Sequence, residues 1–183
     1  MKQKNQREKE ATLTESVYQP LLSLMADHQV RTVKEMHEAV HAQGVSDGQL
    51  RQAVLVLAGL GHLLPVQEEA VVSAAAPRAA LLNQQLMKKS RSQADIGFLA
   101  SPLTGSGVHV SRFEQLFLLA IAEGANDPAQ WAATAWAVLS QQGQRIIKDG
   151  VTLESADQNL AELTAQAAAF KDSKLPILKA LGV

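Results

Sequence analysis

The sequence predicts a mainly α protein with small β-hairpins, an α+β chain of two winged-helix-like modules joined by a helix and an irregular loop. Three observations predict it. Ala, Leu and Gln are abundant, and these residues lose little freedom in a helix. Three Ser/Thr-x-x-Glu/Gln segments mark helix starts, at Thr32, Ser46 and Ser111. Two glycine-marked turns, Gly105 to Gly107 and Asp149-Gly150, each lie between short β-prone runs.

Residues 1–13 read as a polar tail, and the first module, 14–72, follows. Thr14-Glu15-Ser16 opens a helix with Val17, Leu21, Leu24 and Met25 at helical spacing. Thr32 to Glu35 caps a short second helix, which Gly44 ends. Ser46 to Gln49 caps a third, with Leu50, Val54, Leu57 and Ala58 facing inward and Gly61 as its stop. His62 to Val66 reads as a short strand. Helix, helix, helix, wing is the resulting order.

Residues 73–110 read as a linking helix and a Gly-rich loop. Ala74 to Lys89 is helical, with Leu81, Leu82 and Leu86 on one side and Pro77 in the first turn. Lys88 to Gln93 reads as a solvated loop. Ile96 to Ala100 and Val108-His109-Val110 are short strands about the glycines. The second module, 111–183, begins at the Ser111 cap. Its first helix carries Phe113, Leu116, Phe117, Leu119 and Ala120. Asp127-Pro128 starts a helix with Trp131, Ala135, Val138 and Leu139 on its apolar positions. Arg145 to Lys148 and Val151 to Leu153 flank the Asp149-Gly150 hairpin turn. A helix from Glu154 to about Lys171 follows, and Leu175 to Leu178 packs after it.

Composition excludes several function classes. Apolar residues make up 46% and charged residues 19%, which suits a packed core rather than a disordered chain. The net charge is −1, so no global field draws the chain to nucleic acid or an anionic membrane. With no cysteine, thiolate catalysis, disulfides and cysteine-ligated metals are excluded. No apolar run is long enough to span a bilayer. The charged start MKQKNQREKE has no apolar core after it and does not read as a secretory signal. A cytoplasmic protein is the expectation.

Four segments together carry a resemblance. They are LRQAVLVLAGLGHLLPV at Leu50 to Val66, LASPLTGSGVHVSRFEQLFLL at Leu99 to Leu119, Lys148 to Ser155, and FKDSKLPILKALGV at Phe170 to Val183. In order and in ending, the chain resembles the C-terminal regulatory region of bacterial S-adenosylmethionine-dependent methyltransferases, of the protein lysine methyltransferase type that acts on outer-membrane proteins. The resemblance implies helical accessory domains beside a Rossmann-like catalytic domain. It also implies partners: that catalytic domain, in cis or in trans, and a protein substrate. S-adenosylmethionine would belong to the catalytic domain, with no cofactor in this chain. No strand, G-x-G turn and helix occur in the order a cofactor fingerprint needs; Gly105-Ser106-Gly107 follows a Pro-containing loop instead. No catalytic residue carries over. The loop residues that match the family pattern are Ser101, Pro102, Gly105, Gly107, Ser111 and Arg112.

Two rival chemistries start from the residues. His37-Glu38-Ala39-Val40-His41, with Gly44 and Asp47, fits the H-E-x-x-H-x-x-G-x-x-D spacing, which resembles a metzincin-type zinc peptidase. His37, His41 and Asp47 are the candidate ligands and Glu38 the base. Only one helix and the polar tail precede them, whereas such an enzyme needs a substrate-binding sheet before its metal helix. Gly44 and Asp47 also serve as a helix stop and a helix start. The winged-helix order raises a DNA-binding transcriptional regulator as the alternative. Its third helix offers only Gln49, Arg51 and Gln52 to bases and phosphates, too few for useful affinity.

The candidate binding residues are therefore Ser101, Pro102, Gly105, Ser106, Gly107, His109, Arg112 and Trp136. Arg112 sits at a helix N-terminus, where a carboxylate or phosphate is favoured, although the simpler reading has Ser111 as the cap and Arg112 in solvent. His109 alternates with Val108 and Val110 and faces away from them. Trp136 lies off the Trp131 face as an interface anchor or a second packing residue. The expected function is a non-catalytic regulatory or substrate-recognition domain of a methyltransferase, not an enzyme on its own.

Overall fold

A computed structural model describes residues 13–183; the expected polar tail, apart from Leu13, lies outside the described residues. The structure is mainly helical with two small antiparallel strand pairs. It divides between Pro65 and Val66 into two compact units.

The first unit is built of α1 (Glu15–Met25), α2 (Val33–Val40) and α3 (Asp47–Gly59), with a single 3₁₀ turn at His41–Gln43. The capping boxes at Thr32 and Ser46 are formed, each with its side chain and its Glu or Gln partner bonding reciprocally. Two residues of α1 (Val17, Leu21), two of α2 (Met36, Val40) and three of α3 (Leu50, Ala53, Leu57) close one core with Val45. The strand expected at His62 to Val66 does not form. Gly61, at φ 77°, ends α3, and the His62 N–H turns back to the Leu57 carbonyl. A lone strand has no ladder to satisfy its backbone, and no other strand lies in the described part of this unit. The expected wing is thus absent there.

The second unit holds α4 (Glu69–Lys89), β1 (Phe98–Ser101), β2 (Ser106–His109), α5 (Arg112–Ala122), α6 (Pro128–Gln141), β3 (Ile147–Lys148), β4 (Val151–Thr152) and α7 (Ala156–Ala180). The helix and Gly-rich loop expected to link two modules lie inside this unit. Its core joins Leu99 and Val110 to α5, α6 and α7, with Phe117, Trp131 and Phe170 as the aromatic centre. Trp131 also donates its indole N–H to the Ala125 carbonyl, at 3.0 Å. The Ser111 box and the Asp127-Pro128 start are formed as expected. So is the Asp149-Gly150 hairpin, with both turn residues at positive φ and Lys148 opposite Val151.

Four expectations for this unit are corrected. α4 begins at Glu69, so Pro77 lies mid-helix rather than in the first turn. Pro77 and Ser73, whose carbonyl loses its N–H partner, are both exposed, so water can replace that bond. Leu81 and Leu82 are exposed, at 65% and 50%, and the residue α4 buries is Asn83. α7 runs on through Pro176 to Ala180, so Leu175 and Leu178 are buried helix residues rather than a separate terminal segment. Lys88 and Lys89 likewise belong to the last turn of α4, not to a loop.

Candidate functional site

The β1–β2 hairpin carries most of the candidate binding residues, and α4 packs beside it. Phe98 pairs with His109, Leu99 with Val108, Ala100 with Gly107 and Ser101 with Ser106. Alternation sends Leu99 and Ser101 into the core and leaves Phe98, Gly107 and His109 outward. The Phe98 and His109 rings meet edge to face, with centroids 5.5 Å apart.

Three buried polar side chains fix this hairpin. Asn83 donates to the Ala100 carbonyl at 2.8 Å and accepts from the Ala100 N–H at 2.7 Å. Its amide takes the place of a neighbouring strand along the edge of β1. Gln115, fully buried in α5, donates to the Ile96 and Val110 carbonyls at the base of the hairpin, at 2.6 and 2.9 Å. Ser101 donates to the Leu181 carbonyl at 2.7 Å and accepts from the Thr104 N–H, tying the turn to the end of α7. Pro102 lies against Gly182, where an added Cβ would come within 3.0 Å of its ring. Gly105 has φ +65°, and a Cβ there would fall 1.7 Å from the Gln67 amide nitrogen. Gln67 also donates its backbone N–H to the Leu103 carbonyl.

A groove of about 940 Å³ opens between α4 and the outer face of the hairpin. Of the candidate residues it brings together Ser101, Pro102, Gly105, Ser106 and Gly107; His109, Arg112 and Trp136 do not line it. Its walls are alanines and leucines of α4 with Phe98 and Ala100 of β1, and its only charged lining residue is Arg78. Such a surface can bind apolar groups around one anion. The lining includes no carboxylate or imidazole to serve as a base.

Arg112 is neither in solvent nor poised at an anion site. Its Nε donates to the Ser90 carbonyl at 2.7 Å, Nη1 to Gln144, and Nη2 to Gln142 and the Arg91 carbonyl. The guanidinium clasps the end of α4 to the loop after α6. Trp136 is half-buried against the core.

The first unit carries the metal candidates. The His37 and His41 rings lie with centroids 5.0 Å apart, tilted by 39° to each other. The Asp47 carboxylate is held by Arg51 Nε at 2.8 Å, and that hydrogen bond keeps it below the ordinary carboxylate value. Among the described residues no three His, Asp or Glu side chains are grouped so as to hold a metal ion. The same pair ties up Arg51, one of three side chains the alternative reading would offer to DNA.

Sequence reasoning missed Asn83, Gln115 and Asn159. A signal was there: each is a polar residue at an apolar position of its helix, with Leu86, Leu119 and Leu163 three or four residues on.

No family model matches the chain, and no solved structure matches it. It is similar to a Synechocystis protein described as uncharacterized protein sll1526, with 36% identity over 174 residues. The match takes in 95% of this chain and 33% of that protein, so the chain spans about a third of the length of the curated relative it matches. No helix of the described residues is long and apolar enough to cross a membrane.

Proposed function

We propose that this chain is a non-catalytic regulatory or substrate-recognition part of an S-adenosylmethionine-dependent protein methyltransferase. One observation carries the reading. One of the segments that carry the resemblance, Leu99 to Leu119, includes a hairpin whose outer face lines an open, mostly apolar groove. Asn83, Gln115 and Ser101 spend buried hydrogen bonds on holding that shape. A preformed apolar trough without acid–base groups suits protein contact. The relative's much greater length is compatible with a region that works beside others.

The mechanism is positional. Contact through the hairpin face orients the catalytic domain or its protein substrate, so that a target amine meets the methyl donor more often in line. The cofactor and the transfer step belong to the catalytic domain. The test is to purify the chain with a methyltransferase catalytic domain fused to it or encoded beside it, and to measure methyl transfer to an outer-membrane protein. A stable complex and a transfer rate altered severalfold are expected. No association and no change in rate would overturn the reading.

A further inference from the structure

We propose that the groove between α4 and the β1–β2 hairpin docks an amphipathic helix of a protein partner, one with a carboxylate set among its apolar side chains. The proposal rests on the protein-contact reading above and adds what the contact recognises. The groove exposes Val71, Leu82 and Phe98, at 47%, 50% and 56%, and its lining is mostly apolar. Within it stands Arg78, a guanidinium with no ion pair or hydrogen bond among the described residues. A lone cation on an apolar surface attracts a carboxylate more strongly than one in open water, and a planar fork favours two-point contact. An apolar segment with a basic centre is repelled.

The form of the occupant follows from the walls. An extended strand would add to the edge of β1, but Asn83 already takes the Ala100 N–H and carbonyl there. The α4 wall is lined by Ala70, Ala74 and Ala79, which let a second helix approach closely along it. Apolar side chains at i, i+3, i+4 and i+7 would then reach Leu82 and Phe98, with the acidic residue between them at Arg78.

The probe is a random peptide library displayed on phage, selected against the full chain, with enriched sequences then synthesised and titrated by fluorescence anisotropy. Enriched peptides should show helical apolar spacing around Asp or Glu. Their affinity should fall at least tenfold in Arg78→Glu and return when the peptide's acidic residue becomes Lys. Ala74→Trp should abolish binding. Both positions are exposed, and circular dichroism verifies that each variant keeps its fold. The proposal is overturned if nothing is enriched, or if enriched peptides lack the acidic pattern or bind both variants as they bind the parent. It is also overturned if sedimentation shows a dimer that Ala74→Trp dissolves, which would give the groove to a second copy. No methyltransferase enters this experiment, so its failure would count against the docked helix and not against the rate test above.

Discussion

The two units solve the same problem by different means. In the first, every side-chain hydrogen bond of the described residues joins positions two to four apart: caps, turns and helix pairs such as Arg31–Asp27. Eight buried apolar residues do the long-range work. In the second, buried amides and a hydroxyl reach across 13 to 80 residues, as in Asn159 to Ile146, Asn83 to Ala100 and Ser101 to Leu181. The comparison teaches where irregular backbone is affordable. Regular helices satisfy their own polar groups and need only apolar burial. Short hairpins packed into a core leave N–H and carbonyl groups that only side chains can satisfy.

Four changes break or sharpen this contrast, taken from the largest effect to the smallest. Leu50→Ala removes a fully buried side chain from the small core of the first unit. A loss of about 3 kcal/mol is expected, seen as faster amide exchange across α1, α2 and α3. Asn159→Ala strips the second unit of a buried clamp. The Ile146 N–H and the Leu153 carbonyl lose their partner, for a loss of about 2 kcal/mol in denaturant titration and early exchange of the β3–β4 hairpin. No polar-to-alanine change in the first unit should match it. Gly105→Ala forces a side chain to positive φ and against Gln67, for about 1 kcal/mol. Adding Gln67→Ala should recover the part due to the clash and leave the part due to φ.

The smallest effect is pH-dependent. Burial pushes the Glu114 carboxyl up, but the Lys174 ammonium 2.8 Å away and the Ser111 N–H and hydroxyl outweigh it and hold it below the ordinary 4.5. A lowered carboxyl stabilises the fold fully above 4.5, and that share is lost as pH falls through the folded value. Glu114→Gln should therefore cost below about 1 kcal/mol at neutral pH. The gap between variant and parent should close on acidification below 4.5 in a pH series of urea melts.

The helices and both hairpins were legible because their signals are local. Ser111, Asp127 and Asp149-Gly150 act within four residues, and all three features formed where their chemistry placed them. The misses share one cause. His62 to Val66 has strand composition, yet whether a strand forms depends on a partner elsewhere in the chain. Pro77 reads as first-turn and Pro176 as part of a segment packed after the last helix, yet helices pass through both on exposed faces. Arg112 reads as a free cation at a helix start, yet its partners come from residues 90–91 and 142–144. The glycines at 105 and 107 marked a turn between two short strands, and the β1–β2 hairpin formed there. They gave no sign that a groove would open beside it, because its other wall comes from α4.

Calorimetric titration of the isolated chain with S-adenosylmethionine tests the central claim, that this chain contributes contact rather than chemistry. The account predicts no saturable heat at millimolar cofactor. Stoichiometric binding at micromolar concentration would contradict it.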